Sequence, residues 1–146
     1  MHQCVLIAAL AAAVLGGCAT TYQDARNPFL GMAGGYWDLP GPGELIKVGF
    51  SGNSYIERDK VSDFLLRRCA ELTKKSGKEY FALYKNLPDA VQDKRSARKV
   101  TTTIIGKPNA HVYILTFDKD GSGLLNASEI LERFDMEARQ KEVPKT

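Results

Sequence analysis

The chain has 146 residues, the length of one domain. Its 44% hydrophobic and 25% charged residues are those of a folded globular protein rather than a disordered one. A net charge of +3 is too mild to point to nucleic acid, and the basic cluster Lys94, Arg95, Arg98 and Lys99 has no aromatic residue interleaved, so it reads as a solvated loop or a weak attraction to anionic headgroups.

In chain order, residues 5–15 (VLIAALAAAVL) come first as an apolar run of eleven. That is the length of a signal-peptide hydrophobic region and well short of the roughly 20 residues needed to span a bilayer. Met1-His2-Gln3 before it carries no Lys or Arg. Leu15-Gly16-Gly17-Cys18 then resembles the bacterial lipobox. The resemblance implies that Cys18 is diacylated on sulfur and becomes the first residue of the mature chain. Small residues before it let the backbone enter a peptidase cleft, and the thiol is the group that accepts the lipid. Two or three acyl chains on one residue would hold the chain stably, since a single chain is marginal. Ala19 follows where inner-membrane retention would place Asp, so the expected address is the outer membrane, facing the periplasm. An ordinary cleaved signal, or a start site placed too far downstream, is the alternative.

Residues 18–43 read as the lipidated Cys and a flexible tether, with Pro28, Pro40 and Pro42 among several glycines. Tyr36 and Trp37 stand out within it and can pack on the edge of the domain. The domain itself is expected over 44–141. Residues 45–50 alternate as a half-buried strand, and Gly52 and Asn53 supply turn chemistry. A helix follows, with Val61, Phe64, Leu65, Cys69 and Leu72 on one face. Asp59 can cap its start and Gly77 can end it as a left-handed residue. Asp63–Arg67 and Glu71–Lys75 are spaced to pair along its solvent side. Residues 78–84 (KEYFALY) read as the next strand, Asn86-Leu87-Pro88-Asp89 breaks the chain, and 90–98 is a polar loop, in part helical. VTTTII at 100–105 and VYILTF at 112–117 predict a β-hairpin turning at 106–109. A last helix runs from about 127 to 140 with Ile130, Leu131 and Phe134 inward, and 142–146 is a tail.

The order β-α-β-β-β-α predicts an α+β fold, a two-layer sandwich of a mostly antiparallel four-stranded sheet and two helices. The strands near 46 and 81 could pair in parallel through a crossover. Gly35-Tyr36, Val48-x-Phe50-x-Gly52-Asn53-x-Tyr55, Arg68-Cys69-Ala70-Glu71-Leu72 and Gly77-x-x-Tyr80-Phe81 together resemble a family of small bacterial envelope lipoproteins. The similarity covers roughly 35–84 and departs at Cys69, where that family has Ala. It implies compartment and fold, not a mechanism.

Little in the chain points to catalysis. His2 leaves with the signal, so His111 is the one mature histidine, and it reads as a surface or strand-end residue. No nucleophile elbow, zinc-protease helix or phosphate loop is present in the sequence. Cys4 leaves with the signal and Cys18 is acylated, so Cys69 is left alone on an apolar helix face as a small buried hydrophobe, without disulfide or metal partner.

One motif carries chemistry. Residues 118–129 (DKDGSGLLNASE) resemble the twelve-residue calcium loop of EF-hands. Asp118, Asp120 and Ser122 would offer side-chain oxygens, and Leu124 its carbonyl. Asn126 would act directly or through water, and Glu129 would close the shell with both oxygens. Gly123 would permit the sharp turn, and Leu125 would drop into the core. The competing reading is a bare loop, in which Asn126 and Glu129 serve as an N-x-x-E capping box for the last helix. A solitary strand–loop–helix site implies affinity in the ~10⁻⁴–10⁻³ M range of extracellular modules. Two non-enzymatic functions stay open: a lipid-anchored envelope protein that binds Ca2+ through this loop, or a lipid-anchored structural module that binds no metal and meets an envelope protein on its sheet. Nucleic acid is not an expected partner of either.

Overall fold

The computed structural model describes residues 18–27, 34–96, 102–104 and 107–142. Its elements run β1 (Gly35–Pro40), β2 (Ile46–Ser51), α1 (Arg58–Lys75), β3 (Tyr80–Tyr84), α2 (Leu87–Val91), β4 (Thr102–Ile104), β5 (Lys107–Phe117), β6 (Leu125–Asn126) and α3 (Ala127–Glu142). The α+β class is as the pattern predicts: one sheet, with α1 and α3 packed side by side against it. The expected signal peptide at 1–17 and the tail beyond 142 lie outside the described residues.

The sheet has six strands among the described residues where four were expected, in the order β1-β2-β5-β3-β6, with β4 also on β5. Every pairing between these strands is antiparallel. Two strands escaped the sequence reading for different reasons. β1 (GYWDLP) lies among glycines and prolines and ends at Pro40, which an edge strand tolerates because its outward N–H side needs no partner. β6 is two residues long, too short to alternate. The expected tether to residue 43 is corrected accordingly, since Gly35–Pro40 belongs to the sheet.

β2 and β3 do not pair with each other. β5 lies between them, hydrogen-bonded to β2 along 109–114 and to β3 along 113–117. The result is a split β-α-β unit in which α1 crosses over an inserted strand. The expected pairing of β4 with β5 is present, but it takes in residues expected as the turn. Ile104 faces Lys107, so Lys107, Pro108 and Asn109 are strand rather than turn. Residues 100, 101, 105 and 106 of the expected hairpin lie outside the described residues.

Alternation then sorts the sheet faces. Val48, Phe50, Val112, Ile114, Phe81 and Leu83 point to the helices and are almost wholly buried, joined by Val61, Leu65 and Cys69 of α1 and by Ile130 and Phe134 of α3. Burial pushes the Cys69 thiol well above the ordinary thiol range. Truncating a ring as enclosed as Phe81 would cost about 3–5 kcal/mol.

The ends of α1 combine a correction and an agreement. Glu57, not Asp59, holds the N-cap position and makes no side-chain cap, while Asp59 lies in the first turn beside the positive end of the dipole. At the other end Gly77, at φ 74°, closes a Schellman turn: its N–H bonds the Lys74 carbonyl at 3.0 Å and Lys78 N–H bonds that of Thr73 at 3.1 Å. Charges along the helix pair differently from the simple spacing. Glu71 reaches back to Arg67 (3.1 Å) and Arg68 (3.3 Å), and Arg68 grips Asp38 of β1 at 2.6 Å. After β3, Asn86 caps α2 by accepting Asp89 N–H at 2.8 Å, which makes a one-turn helix of the expected chain break.

On the sheet face away from the helices, Trp37 of β1 lies flat over Gly49 of β2. A Cβ at position 49 would sit 2.1 Å from the indole ring. Gly49→Ala should therefore lift the ring and destabilise the fold by about 1–3 kcal/mol, as overpacking does. Trp37 is the single tryptophan, so its emission should shift to the red as the melting temperature falls. An unmoved spectrum and melting curve would contradict this packing.

Candidate functional site

Two places carry the residues singled out by sequence, and they lie at opposite ends of the strands. One is the 118–129 loop, which leaves the end of β5, touches the edge of β3 and enters α3. Its backbone follows from its sequence. Asp120 Oδ1 accepts Gly121 N–H at 2.7 Å, Leu124 N–H returns to the Gly121 carbonyl at 3.1 Å, and Gly123 takes φ 71°, a conformation that suits glycine. Leu125 packs on the core and pairs with Phe81, so the second half of the loop is fastened to the sheet. Asn126 Oδ1 accepts Glu129 N–H at 3.1 Å and so makes its half of the capping box.

Of the six expected ligand positions, four line one cavity of about 380 Å³: Asp120, Leu124, Asn126 and Glu129. The other two are held elsewhere. Asp118 is paired with Lys78, and the Ser122 carbonyl accepts from the Arg95 guanidinium. Among the described residues, no three His, Cys, Asp or Glu side chains gather as a metal cluster. Asp120, Asn126 and Glu129 carry side-chain oxygens, the donor type calcium takes. Arg133 lines the same cavity with its Nε buried and without a hydrogen-bond partner, and its positive charge opposes a cation there. Two carboxylates, Asp120 and Glu129, thus share the cavity with Arg133, and Asp118 is held apart from them by Lys78.

Lys78 and Arg95 were missed by sequence reasoning. Lys78 is carried to Asp118 by the Schellman turn at Gly77. Arg95, expected in a solvated basic loop, instead bonds both Asp93 oxygens at 3.0 Å and stacks 5.7 Å from the Phe117 ring. Arg98 and Lys99 of that cluster lie outside the described residues. Nearby, Lys74 bonds both the Glu79 carboxylate and Ser128 Oγ (3.1 Å), tying α1 to the start of α3. Lys74 first, and Ser128 after it, hold the Glu79 carboxyl below the usual carboxylate range.

The second place is Cys18. It is exposed, and its carbonyl accepts from Asn53 Nδ2 at 2.8 Å. Thr20, almost fully buried, takes both ends of the same residue: Asn53 Oδ1 accepts Thr20 N–H at 3.2 Å and Thr20 Oγ1 accepts Asn53 N–H at 2.8 Å. Tyr22 then packs between Tyr36 (4.8 Å) and Phe64 (5.5 Å) and its hydroxyl donates a hydrogen bond to Glu71. Burial, reinforced by Glu71, pushes the Tyr22 phenol far above its ordinary value. Asp24 bridges to Tyr36. The segment expected as a flexible tether is therefore docked over 18–27, for want of any sequence pattern that marks an extended polar segment as packed. No helix among the described residues is long and apolar enough to cross a membrane.

His111 is exposed, as a surface residue would be, but lies within β5, opposite Gly49, rather than at a strand end. Comparison with protein-family models, with curated proteins and with solved structures finds no match to this chain.

Partial desolvation against the sheet, and then the charge of Lys47, lower the His111 imidazole pKa below its ordinary value of 6.5. Unfolding releases that constraint, so the unfolded chain binds the proton more readily and stability falls as pH drops through 6.5 towards the folded value. His111→Gln should flatten this slope: the melting temperature of the wild type should fall further between pH 7.5 and 5 than that of the variant. Parallel curves would show that His111 is solvated like a free imidazole.

Proposed function

We propose that this chain is a non-enzymatic, lipid-anchored protein of the bacterial cell envelope, attached through Cys18 to the outer membrane and facing the periplasm, whose 118–129 loop takes a calcium ion. The observation that carries the calcium reading is the gathering of Asp120, Leu124, Asn126 and Glu129 round one cavity beneath a left-handed Gly123. The anchor reading is supported by the apolar run ending in Leu15-Gly16-Gly17-Cys18.

Bound calcium would supply a divalent charge at the junction of β5, β3 and α3. Glu129 would tie the ion to the first turn of α3, Asp120 to the start of the loop, and the Leu124 carbonyl to the segment that pairs with β3. Lys78 sets the threshold. It neutralises Asp118 in the metal-free loop, so calcium must displace an ammonium that is partly exposed and worth no more than about 1 kcal/mol.

A second reading is favoured by that same Lys78–Asp118 pair and by Arg133 in the cavity. In it the pair, the Asn126 cap and the Arg95 clamp hold a loop that binds no metal, and the anchored domain meets a protein partner through the exposed face of its sheet.

Calcium titration of the soluble fragment beginning after Cys18 separates the two. Binding to the native state alone stabilises it by about 1.4 kcal/mol at ten times Kd. That should raise the melting temperature by roughly 3–6 °C, and magnesium, which demands tighter octahedral geometry, should do less. Asp118→Ala and Glu129→Gln should each remove the response. Lys78→Gln should tighten the apparent Kd by up to about fivefold, the equivalent of a surface pair of roughly 1 kcal/mol. A wild-type melting curve unmoved by 10 mM calcium would leave the metal-free reading. For the anchor, the mature protein should incorporate palmitate and partition into detergent, and Cys18→Ser should lose both; equal labelling of the variant would refute acylation at Cys18.

A further inference from the structure

We infer that the folded domain sits directly on the bilayer, with the turn at Asn53–Tyr55 against the lipid headgroups and the 118–129 loop at the far end, pointing away from the membrane. The inference rests on acylation at Cys18. Given that, orientation follows from how little chain separates the lipid from the fold. Asn53 holds the Cys18 carbonyl directly, and two residues on Thr20 is buried and bonded to the same side chain. A residue fastened at its own carbonyl cannot swing its acyl chains away from the domain by more than its side chain allows. The membrane plane must therefore pass beside Asn53.

One side chain at that point is of the kind that suits a lipid interface. Tyr55, 64% exposed, projects from the turn that Asn53 closes by accepting Tyr55 N–H at 3.1 Å. An aromatic ring with a polar tip is the kind of side chain that settles at headgroup level. The sheet then sets the distance to the loop. Ser51, beside the Asn53 turn, pairs with Asn109 near the start of β5, whereas the loop leaves that strand after Phe117. Eight residues of strand separate the two, or roughly 26 Å at about 3.3 Å per residue. That exceeds the Debye length of about 8–10 Å, so the loop lies beyond most of the counter-ion layer of anionic headgroups. It would sample the calcium of the bulk compartment, not that concentrated at the lipid surface.

The test uses full-length, lipid-bearing protein in vesicles of phosphatidylethanolamine and phosphatidylglycerol, with a polarity-sensitive fluorophore on Tyr55→Cys or on Ser122→Cys. Cys69 is fully buried and stays unlabelled in the native protein. The label at 55 should shift to the blue and lose emission to lipids carrying a nitroxide near the headgroup. The label at 122 should emit as in water. A Gly/Ser insertion of about 15 residues between Ala19 and Thr20, with a reach of roughly 20 Å, should abolish the lipid quenching at 55 while leaving the melting curve and detergent partition unchanged. If both labels emit as in water while the protein still partitions into detergent, the anchor stands and the fixed orientation is overturned. Quenching at 122 instead of 55 overturns it too. A full-length protein that does not partition at all removes the anchor, and the orientation with it.

Discussion

Strand β5 is hydrogen-bonded along both edges, and its Val112 and Ile114 side chains are sealed beneath α1. Most other elements take their position from that burial. β2 and β3 reach the same layer only by pairing with β5, and the crossover through α1 is what brings them to its two sides. Phe50 and Phe81, on those flanking strands, fill the space beneath the helices. α3 then closes the core with Ile130 and Phe134, and its start is fixed by Ala127 N–H on the Glu79 carbonyl at 2.9 Å. A fault in β5 would thus separate two halves of the sheet that have no direct contact along their strands.

Polar contacts decide how the loops are carried on this frame. Lys74 and Lys78 emerge from the end of α1 on either side of the Schellman turn and reach Glu79 and Asp118, respectively. Arg95 comes from the stretch after α2 to the Ser122 carbonyl. These contacts are largely exposed, so each is worth little as stability. Their effect is positional, because together they hold a glycine-rich loop against the cavity that Asp120 and Glu129 line. Arg133, which lines that cavity, is the positive charge any cation would meet there.

The N-terminal segment gives the molecule its polarity. Cys18 and Asn53 lie at one end of the strands and the 118–129 loop at the other, so anything attached to Cys18 is separated from the loop by the length of the sheet. Tyr22 adds to that fixity: its ring is enclosed by Tyr36, Phe64 and the Arg67 guanidinium, 4.4 Å from the ring centre.

The amino-acid sequence by itself determined the elements whose signal is periodic. Alternation at 45–50 marked β2, β-branched and aromatic residues at 112–117 marked the second half of β5, and the spacing of Val61, Leu65, Cys69 and Leu72 marked the buried face of α1 and the burial of Cys69. Gly77 and Gly123 marked the two backbone reversals. Such patterns are legible because a residue's dihedral preference and the side it presents depend on neighbours within a turn or two. Tertiary structure alone decided the insertion of β5 between β2 and β3, the pairing of edge strands β1 and β6, the docking of 18–27, and the capture of Asp118 by Lys78 and of Ser122 by Arg95. Those contacts join residues separated by 27 to 40 positions in the last two cases. Polar contacts at such distances leave no period in the chain, and they form only when the closing of the core brings their partners within reach.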